Sequence, residues 1–254
     1  MVKIIFDERF CKVYSDDPAA APGRIESIVK EVKDRFEFIG CSPASESDVL
    51  LVHSSSYLEK VKRLEHVYPI ALLAAGGAIK AAQIALSGEP AFALIRPPGH
   101  HASRDYAWGF CYFNNIAIAV AKMFETKSVN KVLIIDFDLH FGDGTADIFS
   151  RSLNVEYFYL PCVPRTKQIV ELKSFLERQG EYDLLAVSAG FDRHEEDWGK
   201  TLKTEDYYEI GKILRKFSLS NCKGAMFAVL EGGYNQLVLG KNVKSFLEGL
   251  KVAT

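Results

Sequence analysis

Short apolar runs rich in β-branched residues recur along the chain at 2–6, 49–52, 91–95, 131–137, 154–160, 183–188 and 224–230. Runs of this length, bounded by polar or glycine positions, predict strands. Between them lie segments of helical periodicity at 22–39, 55–66, 70–87, 114–126, 166–179, 204–218 and 236–250. Pro22 and Pro69 suit first-turn positions, and Gly40 and Gly88 suit helix stops. Strands that are apolar on both faces, alternating with helices, predict an α/β protein with a mostly parallel sheet covered by helices on both faces. No repeat, low-complexity segment or Pro/Gly-rich linker divides residues 1–254, so a single domain is expected.

The polar positions that interrupt this pattern cluster just after strands, at 96–109, 136–144, 189–198 and 231–235. In open α/β sheets ligands bind beyond the carboxyl ends of the strands. The pattern therefore predicts that four loops meet at one site.

The stretch from Val132 to Gly144 carries the most chemistry. A hydrophobic strand runs into Asp136, Asp138, His140 and Asp143. Residues two apart on a strand share a face, so Asp136, Asp138 and His140 are expected to point the same way. Buried carboxylates need a compensating charge, since desolvating each one costs several kcal/mol or more. A divalent metal supplies it. Asp192, in Ser188-Ala-Gly-Phe-Asp192, ends another apolar strand and is the candidate third ligand beside Asp138 and His140. Two carboxylates and one histidine leave a coordination position open, the catalytic rather than the structural arrangement.

The other loops add proton-transfer and recognition groups. Arg96-Pro97-Pro98-Gly99-His100-His101 reads as a rigid turn in which Gly99 permits an unusual backbone angle. It presents two imidazoles suited to acid–base work near neutral pH, with Asp136 and Asp143 as their orienting partners. In Glu231-Gly232-Gly233-Tyr234 the glycines free the backbone to bring Tyr234 into a shared pocket, where its O–H would donate to a developing oxyanion. From Trp108 to Asn115, Asn114 is expected to cap a helix, Phe110 to wall a narrow tunnel, and Gly109 to offer its carbonyl to a substrate amide. No base is paired with Cys111, so it is not read as a nucleophile. Glu195, Glu196 and Asp197 are expected on a solvated face.

Composition narrows the class. With 48% apolar and 25% charged residues and a net charge of −2, the chain reads as an ordinary globular protein. Its charge gives no case for direct nucleic-acid binding or an anionic membrane surface. The apolar runs are read as too short to span a bilayer, and the N-terminus has no signal-peptide pattern. Five dispersed cysteines without Cys-x-x-Cys argue against a disulfide framework or a cysteine zinc site and favour a cytoplasmic location. Oligomeric state is not legible in the sequence.

Taken in order, Pro-Pro-Gly-His-His-Ala, Gly-Phe-Cys-Tyr-Phe-Asn-Asn, Asp-Phe-Asp-Leu-His-Phe-Gly-Asp-Gly, Ser-Ala-Gly-Phe-Asp and Glu-Gly-Gly-Tyr-Asn resemble the zinc-dependent histone deacetylase family, which includes the acetylpolyamine amidohydrolases. Pro22 to Ile25 and Val52 to Leu58 resemble its N-terminal pattern. The resemblance spans nearly the whole chain and implies the arginase–deacetylase fold. It implies one zinc on Asp138, His140 and Asp192, with iron or cobalt as substitutes. His101 becomes the principal general base and then acid, supported by Asp143. His100, supported by Asp136, tunes the electrostatics, and Tyr234 donates to the oxyanion. The implied reaction is hydrolysis of an N-acetyl or short N-acyl amide of lysine, a polyamine or a related small amine.

Four departures from the family pattern stand out. Phe141 replaces the usual second histidine after the zinc-ligand histidine. The segment 161–183 is short where relatives carry a glycine-rich tunnel wall, which implies a shallower site. Tyr159 stands at the serine position of the family's structural potassium site, leaving backbone carbonyls to hold that ion. Asp197-Trp198-Gly199 lacks the usual Pro-Leu, so Trp198 is expected at the tunnel rim. Two rivals stay open: a ureohydrolase-like dimanganese enzyme, and a non-catalytic relative that binds acyl ligands.

Overall fold

A computed structural model of the protein describes residues 1–251. Its strands are β1 (Lys3–Ile5), β2 (Glu37–Ile39), β3 (Ala91–Ala93), β4 (Val132–Asp136), β5 (Val155–Tyr159), β6 (Leu184–Ala189) and β7 (Met226–Leu230). They form one parallel sheet in the order β2-β1-β3-β7-β6-β4-β5. Every residue of β3, β4, β6 and β7 is buried, which is why these strands are almost continuously apolar.

The helices are α1 (Arg24–Val32), α2 (Glu46–Val49), α3 (Ser55–Lys62), α4 (Tyr68–Ala85), α5 (Asn115–Glu125), α6 (Asp143–Phe149), α7 (Arg165–Leu176), α8 (Thr204–Asn221) and α9 (Gln236–Leu250). They fall into two groups. One contains α4 and α5, with α4 lying on β1, β3 and β7; the other is the chain of contacts α1, α9, α8 and α7. Phe246 of α9 packs on Phe92 of β3 and on Phe137 and Phe191, just past the ends of β4 and β6. Contrary to the run-length expectation, α4 is long and apolar enough to cross a membrane, but two-thirds of it is buried within the fold. Its glycines let it approach closely: a Cβ on Gly77 would lie 2.8 Å from Ile95.

Four expectations about elements are corrected. The segment 22–39 is not one helix: α1 ends at Val32, and Glu37–Ile39 pairs in parallel with β1. Sheet pairing overrides a periodicity that Phe36 and Phe38 had extended. The run 49–52 is not a strand, because Ser45 and Asp48 form a capping box that starts α2 instead. Pro22 lies before the helix start, with Gly23 as N-cap in the left-handed region. Gly40 therefore follows a strand rather than stopping a helix. One further helix, α6, begins inside the segment read only as a polar loop.

The strands that feed the four polar loops, β3, β7, β6 and β4, are consecutive in the sheet. In register, Asp136 sits beside Ser188, Ser188 beside Val229, and Val229 beside Ala93. All four loops therefore leave the same edge, side by side.

Candidate active site

Asp136 is the last residue of β4, and strand alternation stops there. The expected shared face of Asp136, Asp138 and His140 is replaced by two tight turns. Asp138 N–H donates to Asp136 Oδ1 (3.0 Å), and His140 N–H donates to Asp138 Oδ1 (2.9 Å). Aspartate side chains commonly fold the backbone back in this way. The groups converge by loop curvature, not by pleat.

One ligand atom from each of Asp138, His140 and Asp192 lies within 4.8 Å of the others. His140 Nδ1 is 3.4 Å from Asp138 Oδ1 and 3.3 Å from Asp192 Oδ2. Asp192 Oδ1 accepts from Leu139 N–H (3.0 Å), whereas Oδ2 is buried without a hydrogen-bond partner. Asp138 Oδ2 accepts from Gly232 N–H (2.8 Å). A Cβ on Gly232 would lie 2.6 Å from that oxygen and 2.7 Å from Asp192 Oδ2, so only glycine fits there. An orphaned buried carboxylate oxygen facing a second carboxylate and an imidazole is a donor set suited to a divalent cation. The charge distribution agrees. The Asp138 and Asp192 carboxylates facing it push His140 up to about 10, while burial and the Asp138 charge push Asp192 up to about 6.

The tandem histidines stand beside this cluster. His100 Nδ1 lies 3.0 Å from Asp136 Oδ2, and its Nε2 is 3.7 Å from Asp138 Oδ1. His101 Nδ1 lies 2.6 Å from Asp143 Oδ1. Their environments push them apart. Burial opposes the charged form of His100, but Asp138 and Asp136 outweigh it and raise its pKa. His101 is lowered to about 4 by burial and by His100, against the pull of Asp143. Gly99 does not supply an unusual backbone angle; its role is space, since a Cβ there would lie 2.6 Å from Phe113 O and Asn115 N.

Tyr234 follows Gly233, whose φ of +118° is open chiefly to glycine. Its ring stacks on Trp198 (centroids 4.0 Å apart) and meets the edge of Phe110 at 5.9 Å. Burial, with Asp138 and Asp192, holds its hydroxyl well above 10, so it is a donor at neutral pH. Together with Pro98, His100, His101, Trp108, Gly109, His140 and Gly232, these residues line a cavity of about 290 Å³. None of the lining residues comes from 161–183, where a short loop leads from β5 into α7. Gly109 and Phe110 both have φ in the left-handed region, and Gly109 closely underlies the His101 ring.

Supporting residues emerge whose roles the sequence did not show. Trp108 packs at a tilt on His101, 3.9 Å between ring centroids, and donates from Nε1 to Asp143 Oδ2 (2.8 Å), tying imidazole and carboxylate together. Glu231 Oε2 accepts from the N–H groups of Gly99 and His100 (2.7 and 3.2 Å), fixing the histidine turn from β7. A carboxylate ending a fully apolar strand was the available signal. Asp197 is not on a solvated face as expected: it is buried, and its Oδ2 accepts from Tyr234 and Asn235 N–H, both at 2.8 Å. Glu195 and Glu196 are exposed. Phe141 is half-exposed and covers the rings of Tyr157 and Tyr159. Tyr157 O–H donates to Asp136 Oδ2 (2.9 Å), adding a polar contact near the Phe141 position. Asn114 caps α5 through Ala117 N–H, and burial raises the pKa of Cys111 well above that of a free thiol.

Comparison with known proteins agrees with this geometry. Residues 19–160 and 172–250 match the histone deacetylase domain. A probable deacetylase of Methanothermobacter thermautotrophicus is 31% identical, over 90% of this chain and 84% of its own. A histone deacetylase-like amidohydrolase of Pseudomonas aeruginosa is 30% identical, over 86% of this chain and 74% of its own. The crystal structure of the HDA15 HD domain shares the fold, with a TM-score of 0.86 at 24% identity, over all of this chain and 91% of that one. The chain belongs to the histone deacetylase family.

Proposed function

We propose that this protein is a zinc-dependent amidohydrolase that removes acetyl or short acyl groups from lysine side chains, polyamines or related small amines. The observation that carries the reading is the buried, unpartnered Asp192 Oδ2 facing Asp138 and His140 at the floor of a pocket that also holds His101 and Tyr234. Relatives named as a histone deacetylase-like amidohydrolase and, in Danio rerio, a polyamine deacetylase support the substrate class. Five free cysteines, one of them exposed, suit a reducing cytoplasm.

Asp138, His140 and Asp192 would hold the ion. When bound, zinc supplies Lewis-acid polarisation of the acyl carbonyl and a water of lowered pKa. The chain's own groups do the rest. His101 Nε2, kept neutral by burial, accepts the water proton while Asp143 holds Nδ1–H. The same imidazole then returns that proton to the leaving amine nitrogen. Tyr234 O–H donates to the oxyanion as it develops. His100 is the charged neighbour that sets the local potential. Phe110, Trp198 and Trp108 wall the acyl chain from water, and Gly109 O would accept an N–H from the substrate.

A panel of acetyl-lysine peptides, acetylpolyamines and simple esters tests the reading, with zinc-reconstituted wild type beside His101→Ala. Acetate release that collapses in the variant is expected. Turnover unchanged in His101→Ala would remove that base from the mechanism. A wild type that binds these ligands but releases no acetate would favour the binding-protein alternative.

A further inference from the structure

Arg193, the residue after Asp192, is wholly buried. All five of its N–H donors are used. Nε and Nη2 both donate to Asp138 O (3.0 and 2.8 Å), and Nη2 also donates to Leu160 O. Nη1 donates to Pro161 O (3.2 Å) and Gln168 Oε1 (2.9 Å). Every acceptor is an uncharged oxygen, three of them main-chain carbonyls. Tyr159 closes the cage: the guanidinium lies 5.3 Å from its ring centre, and its hydroxyl donates to Leu139 O (2.6 Å).

Carbonyl oxygens converging on a buried point are the ligand set of a dehydrated monovalent cation. Here a tethered cation already occupies that point, so these residues do not fit a free potassium ion. We propose that Arg193 is a built-in counter-ion. It clamps the carbonyl of Asp138 to the end of β5 and so positions the Asp138 and Asp192 carboxylates with no dissolved cation. A planar fork suits this task, because it satisfies several fixed carbonyls at once where a lysine offers a single point charge. Burying a charge against dipoles alone is costly unless every donor is matched, and here every donor is matched.

The experiment has two readouts. Thermal stability of the metal-free chain is independent of the zinc assignment, whereas zinc affinity, measured against a competing chelator, rests on it. Wild type is compared in potassium, sodium and choline chloride at equal ionic strength, alongside Arg193→Ala and Arg193→Lys. Wild-type stability and zinc affinity should be the same in all three salts. Arg193→Ala should lose stability and about tenfold or more in zinc affinity, and both should recover saturably with potassium or tens of millimolar guanidinium but not with choline. Arg193→Lys should fall between the two. A wild type stabilised saturably by potassium overturns the proposal. So does an Arg193→Ala that keeps wild-type stability, or one that neither cation rescues. If Arg193→Ala does not fold, the wild-type salt series and Arg193→Lys decide. Loss of the stability pattern alone sinks the counter-ion; zinc failing to bind wild type at all sinks the metal reading instead.

Discussion

Replacing Trp108 by phenylalanine separates two contributions to the setting of His101, the proposed base. The smaller ring keeps a tilted ring contact with His101, now 3.9 Å between centroids, but removes the 2.8 Å hydrogen bond from Nε1 to Asp143 Oδ2. Hydrogen bonds to charged groups contribute about 1.5–3 kcal/mol when both partners are buried. The Asp143 side chain is 46% exposed, so water replaces the lost donor and the effect shrinks to about 1 kcal/mol. That corresponds to about a fivefold loss in kcat/KM. The pH profile adds a direction. His101 is held down at about 4 by burial and His100, with Asp143 pulling upward. An Asp143 freed of its indole donor pulls harder, so the pKa of His101 rises. The acid limb of kcat/KM, which reports deprotonation of the base, should move to higher pH. The assay is acetate release from an acetyl-lysine peptide between pH 4 and 9, with thermal melting to check the fold. An unshifted acid limb at wild-type rate would show that Trp108 is only a wall of the pocket.

Three further outcomes are expected. Tyr234→Phe should lower kcat by about 10²–10³ while zinc content stays at the wild-type level, because it removes one oxyanion donor and no ligand; metal analysis beside steady-state kinetics checks this. Gly232→Ala places a methyl carbon 2.6 Å from Asp138 Oδ2 and 2.7 Å from Asp192 Oδ2, so chelator competition should show zinc affinity largely lost. His53 lies away from the cluster, with Nδ1 2.8 Å from Ser103 O and Nε2 accepting from Asn114 N–H at 2.9 Å, an arrangement that needs the neutral ring. Burial lowers it from 6.5 to about 4. Between those values the unfolded chain binds the extra proton, so this contribution is full above pH 6.5 and is lost as pH falls towards 4. The loss amounts to about 3 kcal/mol. Denaturant titrations of wild type and His53→Gln should therefore converge on acidification, and a constant gap between them would contradict the assignment.

Much of this arrangement was legible in the chain because the strongest signals agree with one another. Six of the seven observed strands coincide with apolar runs, and the four polar loops follow strands that are neighbours in the sheet. The errors have physical sources. At 22–39 the helical period ran on through residues that a sheet edge claims, and at 49–52 a capping box outweighed a short apolar run. The family resemblance implied the pairs His100 with Asp136 and His101 with Asp143, which lie in contact, but the convergence of Asp138 and His140 comes from aspartate-closed turns rather than strand alternation. Asp197, Trp108 and Arg193 were not assignable, because each acts across a long sequence separation through backbone groups or a single carboxylate. No local pattern encodes such contacts.

The central claim is that Asp138, His140 and Asp192 hold one zinc ion that makes the pocket an amidohydrolase. Titrating zinc into the metal-free protein while following both bound metal and acetate release tests it most directly. Activity should rise linearly and saturate at one zinc per chain. Saturation at two metal ions per chain, or full acetate release before any metal binds, would contradict it.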